Sequence, residues 1–140
     1  KLARGLGRRD GILIYPEGTR FTPQKLVRAR AAIAERGDAA RVARVGALRH
    51  VLPPRLGGAL ALLGAAPDAD VLIVAHTGFE AVGSFNDLWN GGLVGCHVRV
   101  QLWRVPRADI PDAPDGQAVW IDAQWARIDA WLDAQQGRSA

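Results

Sequence analysis

Glu17, Gly18, Thr19, Arg20 and, further along, Arg55 are the residues of this sequence whose types and settings suit chemistry with a phosphate. An arginine offers a planar, permanently charged fork that matches phosphate oxygens. The carboxylate of Glu17 can hold such a fork or orient a hydroxyl, and Gly18 permits a tight backbone path. These residues follow Ile12-Leu13-Ile14-Tyr15, a continuous apolar run expected to form a strand buried on both faces. Pro16 cannot donate to a sheet ladder and ends that strand. Glu17, Thr19 and Arg20 are thereby expected at the carboxyl end of a buried strand, where α/β sheets place ligands. A structural corner closed by an Arg–Glu pair fits the same residues.

Tyr15-Pro16-Glu17-Gly18-Thr19-Arg20 resembles the Phe-Pro-Glu-Gly-Thr-Arg block of the glycerophospholipid acyltransferases, the lysophosphatidate acyltransferases and their relatives. In that family the block binds the phosphate of the glycerol-phosphate acceptor. The resemblance therefore implies that Glu17, Gly18, Thr19 and Arg20 bind the acceptor. Leu52-Pro53-Pro54-Arg55-Leu56-Gly57-Gly58 is similar to the Leu-x-Pro-Arg-x-x-Gly segment of the branch close to lysocardiolipin and lysophosphatidylinositol acyltransferases. It implies that Arg55 is a second phosphate or headgroup contact; an arginine capping backbone carbonyls is the structural alternative. Asp70 to His76 resembles the last block of the family, with Val74 where many members carry proline.

The family's catalytic element is His-x-x-x-x-Asp, the histidine acting as general base on the acceptor hydroxyl. Here His50 is followed at that spacing by Arg55, His76 by Ala81 and His97 by Leu102. No catalytic residue is assigned, and the motif is expected upstream of Lys1. The resemblance implies an α/β fold, a mostly parallel sheet flanked by helices, incomplete at the amino terminus. Residues 1–140 are then the carboxyl-terminal part of a single acyltransferase domain, with its acceptor block at 11–22.

Length and composition fit one globular domain with a real core. No apolar run approaches the roughly 18 residues that cross a bilayer, and no stretch reads as a signal peptide. The absence of an initiator methionine leads to the expectation that the sequence is part of a longer protein. Cys96 is the sole cysteine, so no internal disulfide forms, and no Cys/His spacing suits a metal. Charge is segregated. Residues 1–55 hold 13 Lys/Arg against 4 Asp/Glu, a net of +9, and residues 56–140 hold 5 against 10, a net of −5. A basic half of this kind suits an anionic partner, or else a set of solvated helix faces.

Along the chain, Thr22-Pro23 reads as a helix start and Gly37 as its stop, with Leu26, Ala29 and Ile33 on one face. Lys25, Arg28, Arg30 and Arg36 are expected on or near the other face. A short helix from Ala39 towards Leu48 and a leucine-faced one through Leu56, Leu60 and Leu63 follow. Asp70 to His76 reads as a buried parallel strand, and Gly78 to Gly95 as a long loop bearing Phe79, Phe85 and Trp89. His97 to Val105 alternates as a half-exposed strand, with Val98, Val100 and Leu102 opposite Arg99, Gln101 and Trp103. Pro106 to Gly116 reads as a linker. A closing amphipathic helix spans about 118–135, on an Ile121, Trp125, Ile128, Leu132 stripe.

The expected function is transfer of a fatty acyl group from acyl-coenzyme A or acyl carrier protein to a lysophospholipid hydroxyl, with no cofactor or metal. The expected setting is the cytoplasmic face of a membrane, on an anionic surface. The alternative is a non-catalytic module that binds anionic phospholipid. Nucleic acid is not an expected partner, because aromatic residues are not interleaved with the basic ones.

Overall fold

The structure, a computed structural model, describes residues 7, 9–78 and 95–137. Helix α1, Pro23–Glu35, starts where Thr22 accepts the Lys25 N–H on its hydroxyl at 3.2 Å, with Pro23 in the first turn. It buries Leu26 and Ile33. Helix α2, Ala39–Val45, is capped by Asp38, whose carboxylate accepts the Arg41 N–H at 2.9 Å. Helix α3, Leu56–Ala65, packs Leu56, Leu60 and Leu63 into the core. Strands β1, Val71–Thr77, and β2, Arg99–Val105, pair antiparallel from Val71↔Val105 to Thr77↔Arg99. A single 3-10 turn, Arg107–Asp109, leads to the long helix α4, Pro114–Gln136.

This architecture corrects the expected fold class. Among the described residues the only sheet is this two-stranded antiparallel hairpin, not a mostly parallel sheet flanked by helices. Residues Ile12 to Tyr15 are not a strand; Leu13 and Tyr15 are 72% and 76% exposed. A strand exists only through its ladder, and this run has no ladder partner among the described residues. The Asp70–His76 segment forms a strand, but an antiparallel one open to solvent on one face. The expected loop at 79–94 and the segment before Gly7 lie outside the described residues.

The hairpin also exposes the apolar side of its alternation. Leu72, Val74, Val100 and Leu102 face outward at 45–58% exposure, while Ile73, Ala75 and Trp103 face the core. Trp103 decides the matter, since an indole buries far more area than a valine. It meets Trp131 of α4 edge-on at 6.2 Å and carries the Arg127 guanidinium 4.7 Å above its ring. Asp70 clamps the open end of the hairpin, accepting from Arg104 Nε and the Arg107 N–H at 2.9 Å each. Those bonds hold its carboxyl below the usual carboxylate range.

One core cluster gathers Ile33, Val45, Leu48, Val51, Ile73 and Ile128; a second joins Leu63, Ile110 and Ile121. Trp125 packs against both, and Trp120 and Trp131 each cover one. Beside its apolar stripe, α4 carries Asp122, Trp125, Asp129 and Asp133 at spacings of three and four, which share a helix face. That face meets the basic half of the chain. Asp122, with a fully buried side chain, pairs with Arg41 and Arg44 at 3.2 Å.

Asp122→Asn keeps the shape and removes the anion, leaving the buried Arg41 charge without its partner. We expect chemical denaturation to show a loss of about 3–5 kcal/mol. Asp115→Asn, at an exposed first-turn position of the same helix, should stay within about 0.5 kcal/mol.

Candidate functional site

The Pro53-Pro54-Arg55 segment and the Glu17–Arg20 turn meet because the first is buried without regular structure. Val51 to Pro54 are all buried, and buried backbone donors must find acceptors. Asp129 accepts the N–H groups of Arg49, His50 and Val51, at 2.8, 2.6 and 3.2 Å to Oδ1. Pro53 and Pro54 have no N–H to satisfy. The Leu52 N–H goes to Glu17 Oε2 at 3.1 Å, and the Arg55 N–H to the Pro16 carbonyl at 2.8 Å. Arg41 donates to the Pro54 carbonyl at 2.5 Å, and Arg30 to that of Leu48.

On the other side of the junction, the Gly18 N–H closes a turn onto the Tyr15 carbonyl at 2.9 Å, with Pro16 and Glu17 central. Gly18 has φ +69°, a conformation that favours glycine. Its missing side chain also makes room for Arg55. A Cβ built at Gly18 would lie 3.2 Å from the guanidinium carbon.

Glu17 turns inward. Its second oxygen accepts from the Trp125 indole N–H at 3.3 Å, so both oxygens are committed to the protein. Burial raises its pKa above the ordinary 4.5, against the opposing pull of the Leu52 and Trp125 bonds. Thr19 and Arg20 are exposed beside Gly18. The Lys25 ammonium reaches back from α1 to donate to the Thr19 hydroxyl at 2.8 Å and the Arg20 carbonyl at 3.1 Å. Gly18 and Arg55 are thus in contact, Thr19 and Arg20 continue the same exposed turn, and Glu17 acts behind it as a tether. The result is a cationic surface around a glycine, suited to a small oxyanion.

The histidines sit elsewhere. His50 has Asp133 Oδ1 at 3.0 Å from Nε2 and the Gln136 amide nitrogen at 3.2 Å from Nδ1. An amide nitrogen only donates, so Nδ1 accepts and Nε2–H donates to Asp133. Neither nitrogen is left to take a proton from a hydroxyl. His76 and His97 are exposed. An open cleft of about 270 Å³ lies between Arg44, Leu48 and Arg49 on one side and Ala126, Asp129 and Asp133 on the other, lined by none of the expected site residues. Its acids are already bonded to protein groups. Among the described residues no cluster of three His, Cys, Asp or Glu could hold a metal ion, and no helix is long and apolar enough to cross a membrane.

Lys25, Asp129 and Trp125 are the site-building residues that sequence reasoning missed. Lys25 read as part of an outer helix face, and Trp125 only as core. The one available signal was the repetition of Asp122, Trp125, Asp129 and Asp133 at helical spacing opposite a basic half. Compared with models of known protein families, with curated proteins and with solved structures, the chain matches none.

Glu17→Ala strands the Leu52 and Trp125 donors, and denaturation should show a loss of about 1–3 kcal/mol. The pH dependence has a definite sign. A carboxyl whose folded pKa is raised contributes stability fully present below 4.5 and lost as pH rises through the folded value. The stability of the native chain relative to Glu17→Gln should therefore fall as pH rises from the ordinary 4.5 through the higher folded value. A rise over that window would contradict the burial of this carboxyl.

Proposed function

We propose that this chain holds the phosphate of a lysophospholipid for acyl transfer, as part of an acyltransferase of phospholipid biosynthesis or remodelling. The observation that carries the reading is the seating of Arg55 against Gly18, which joins two distant segments into one surface. Both segments are those whose residues resemble the acceptor-binding blocks of the glycerophospholipid acyltransferases.

In this reading Arg20 and Arg55 donate charge-assisted hydrogen bonds to phosphate oxygens, and the Thr19 hydroxyl supplies a neutral contact. Glu17 is not a ligand; it fixes the turn by binding Leu52 and Trp125. Anchoring the phosphate fixes the position of the acceptor hydroxyl, which turns a bimolecular encounter into an oriented one. The hydroxyl oxygen then forms the new C–O bond to the acyl carbon, the C–S bond of acyl-coenzyme A or acyl carrier protein breaks, and a base takes the hydroxyl proton. None of the three histidines is assigned that base. His50 has both nitrogens engaged, and none has an aspartate at the family's spacing.

The basic amino-terminal half favours a second reading, a module that binds anionic phospholipid without chemistry. With no base assigned on this chain, both readings predict binding without turnover by these 140 residues. Release of free thiol from acyl-coenzyme A by a protein that joins them to a His-x-x-x-x-Asp element, with lysophosphatidate present, supports the first, and binding without turnover by that protein the second.

Calorimetry with a short-chain 1-acylglycerol 3-phosphate, below its micellar concentration, tests the site itself. The native chain should bind it and ignore the matching monoacylglycerol. Arg20→Ala and Arg55→Ala should each weaken binding about tenfold or more, and Arg20→Lys should restore only part, lacking the bidentate fork. Equal binding of the phosphate-free lipid, or indifference to both alanine variants, would overturn the assignment.

A further inference from the structure

Lys25 occupies a position that local physics disfavours. It lies in the first turn of α1, where the helix dipole presents partial positive charge and favours acids instead. That turn contains no acidic residue. Lys25 is half-buried as a residue, and the two bonds of its ammonium, both exposed, go to neutral oxygens, the Thr19 hydroxyl and the Arg20 carbonyl. Among the described residues no carboxylate pairs with it. The nearest acid in sequence within the motif, Glu17, spends both oxygens on Leu52 and Trp125.

Arg55 repeats the pattern across the turn. Its guanidinium lies against Gly18, and no carboxylate pairs with it among the described residues. Arg28 and Arg36 also have no carboxylate among the described residues; what distinguishes Lys25 and Arg55 is that both reach the same turn. Two cations without anions thus flank the three residues Gly18 to Arg20. Local choices that break the usual rules concentrate at functional sites, and two cations brought to one turn suit an anion carrying more than one charge.

We propose that Lys25 is a specificity-determining residue of the acceptor site, where it reads the second negative charge of a phosphomonoester. This rests on the acceptor-site reading above and adds to it a residue and a charge rule. Arg20 and Arg55 supply the bidentate contacts that any phosphate takes. Lys25 adds a point charge that rewards a dianion over the single charge of a phosphodiester. Its present bonds to Thr19 and Arg20 hold the ammonium beside the turn, ready to exchange a neutral oxygen for a phosphate oxygen.

The test compares two ligands on three forms of the 140-residue chain. The ligands are a short-chain 1-acylglycerol 3-phosphate and its methyl phosphodiester, titrated calorimetrically at about pH 8, where the monoester is a dianion. The native chain should prefer the monoester by about tenfold, Lys25→Gln should reduce that preference to about twofold or less, and Lys25→Arg should largely restore it. A merely structural lysine would weaken both ligands by the same factor in Lys25→Gln and leave their ratio unchanged. That result overturns the inference and leaves the site reading intact. Failure of the native chain to bind either ligand overturns both.

Discussion

The whole molecule is arranged around one constraint, the backbone hydrogen bonding of a buried segment with no helix or sheet to supply it. Residues 48–55 thread between α2 and α4, and their N–H groups are met by carboxylates: Asp129 for Arg49, His50 and Val51, and Glu17 for Leu52. A buried donor without an acceptor costs about 1–3 kcal/mol, so a bare segment of this length would consume much of a small domain's stability. Two prolines remove two of the donors outright. The last donor, the N–H of Arg55, reaches the Pro16 carbonyl and so lands the arginine beside Gly18. The site is a consequence of satisfying this segment.

The same demand explains the segregated charge. The acidic carboxyl-terminal half is folded onto the basic amino-terminal half, with Asp122 against Arg41 and Arg44. Arg30 is drawn in to the Leu48 carbonyl. Part of the amino-terminal excess is therefore structural, and the net charge overstates the surface available to an anionic partner. The buried Asp122–Arg41 pair gives little net stability, yet removing one member is costly. It sets α4 against α2, while the Asp129 bonds set α4 against the irregular segment.

Local signals were legible where the deciding interaction lies within a few residues. Thr22-Pro23 opened α1 and Gly37 closed it, since a cap bond and a positive φ are local properties. The leucine face of α3 and the strand character of Val71 to Thr77 belong to the same class. Strand pairing does not. An apolar run states that burial or extension is favourable and says nothing of the neighbour, so Ile12–Tyr15 reads as a core strand yet has no ladder among the described residues. Alternation in β2 likewise marked two faces without telling which one Trp103 would turn inward. At the site, the four-residue turn and Arg55 are marked in the sequence by resemblance. The inward bonds of Glu17 depend on Trp125, far along the chain, and no spacing rule reaches that distance.

The central claim is that the turn at Gly18, Thr19 and Arg20, with Lys25 and Arg55 on either side, forms one anion site built on the buried segment. Titrating the isotopically labelled chain with glycerol 3-phosphate, followed by nitrogen–proton and side-chain NMR, tests it most directly. The account predicts saturable shifts concentrated at the Gly18 and Thr19 amides and the Arg20, Lys25 and Arg55 side chains, with the Trp125 indole moving as the tethered neighbour. Shifts confined to exposed arginines such as Arg28 and Arg36, or linear with concentration everywhere, would contradict it.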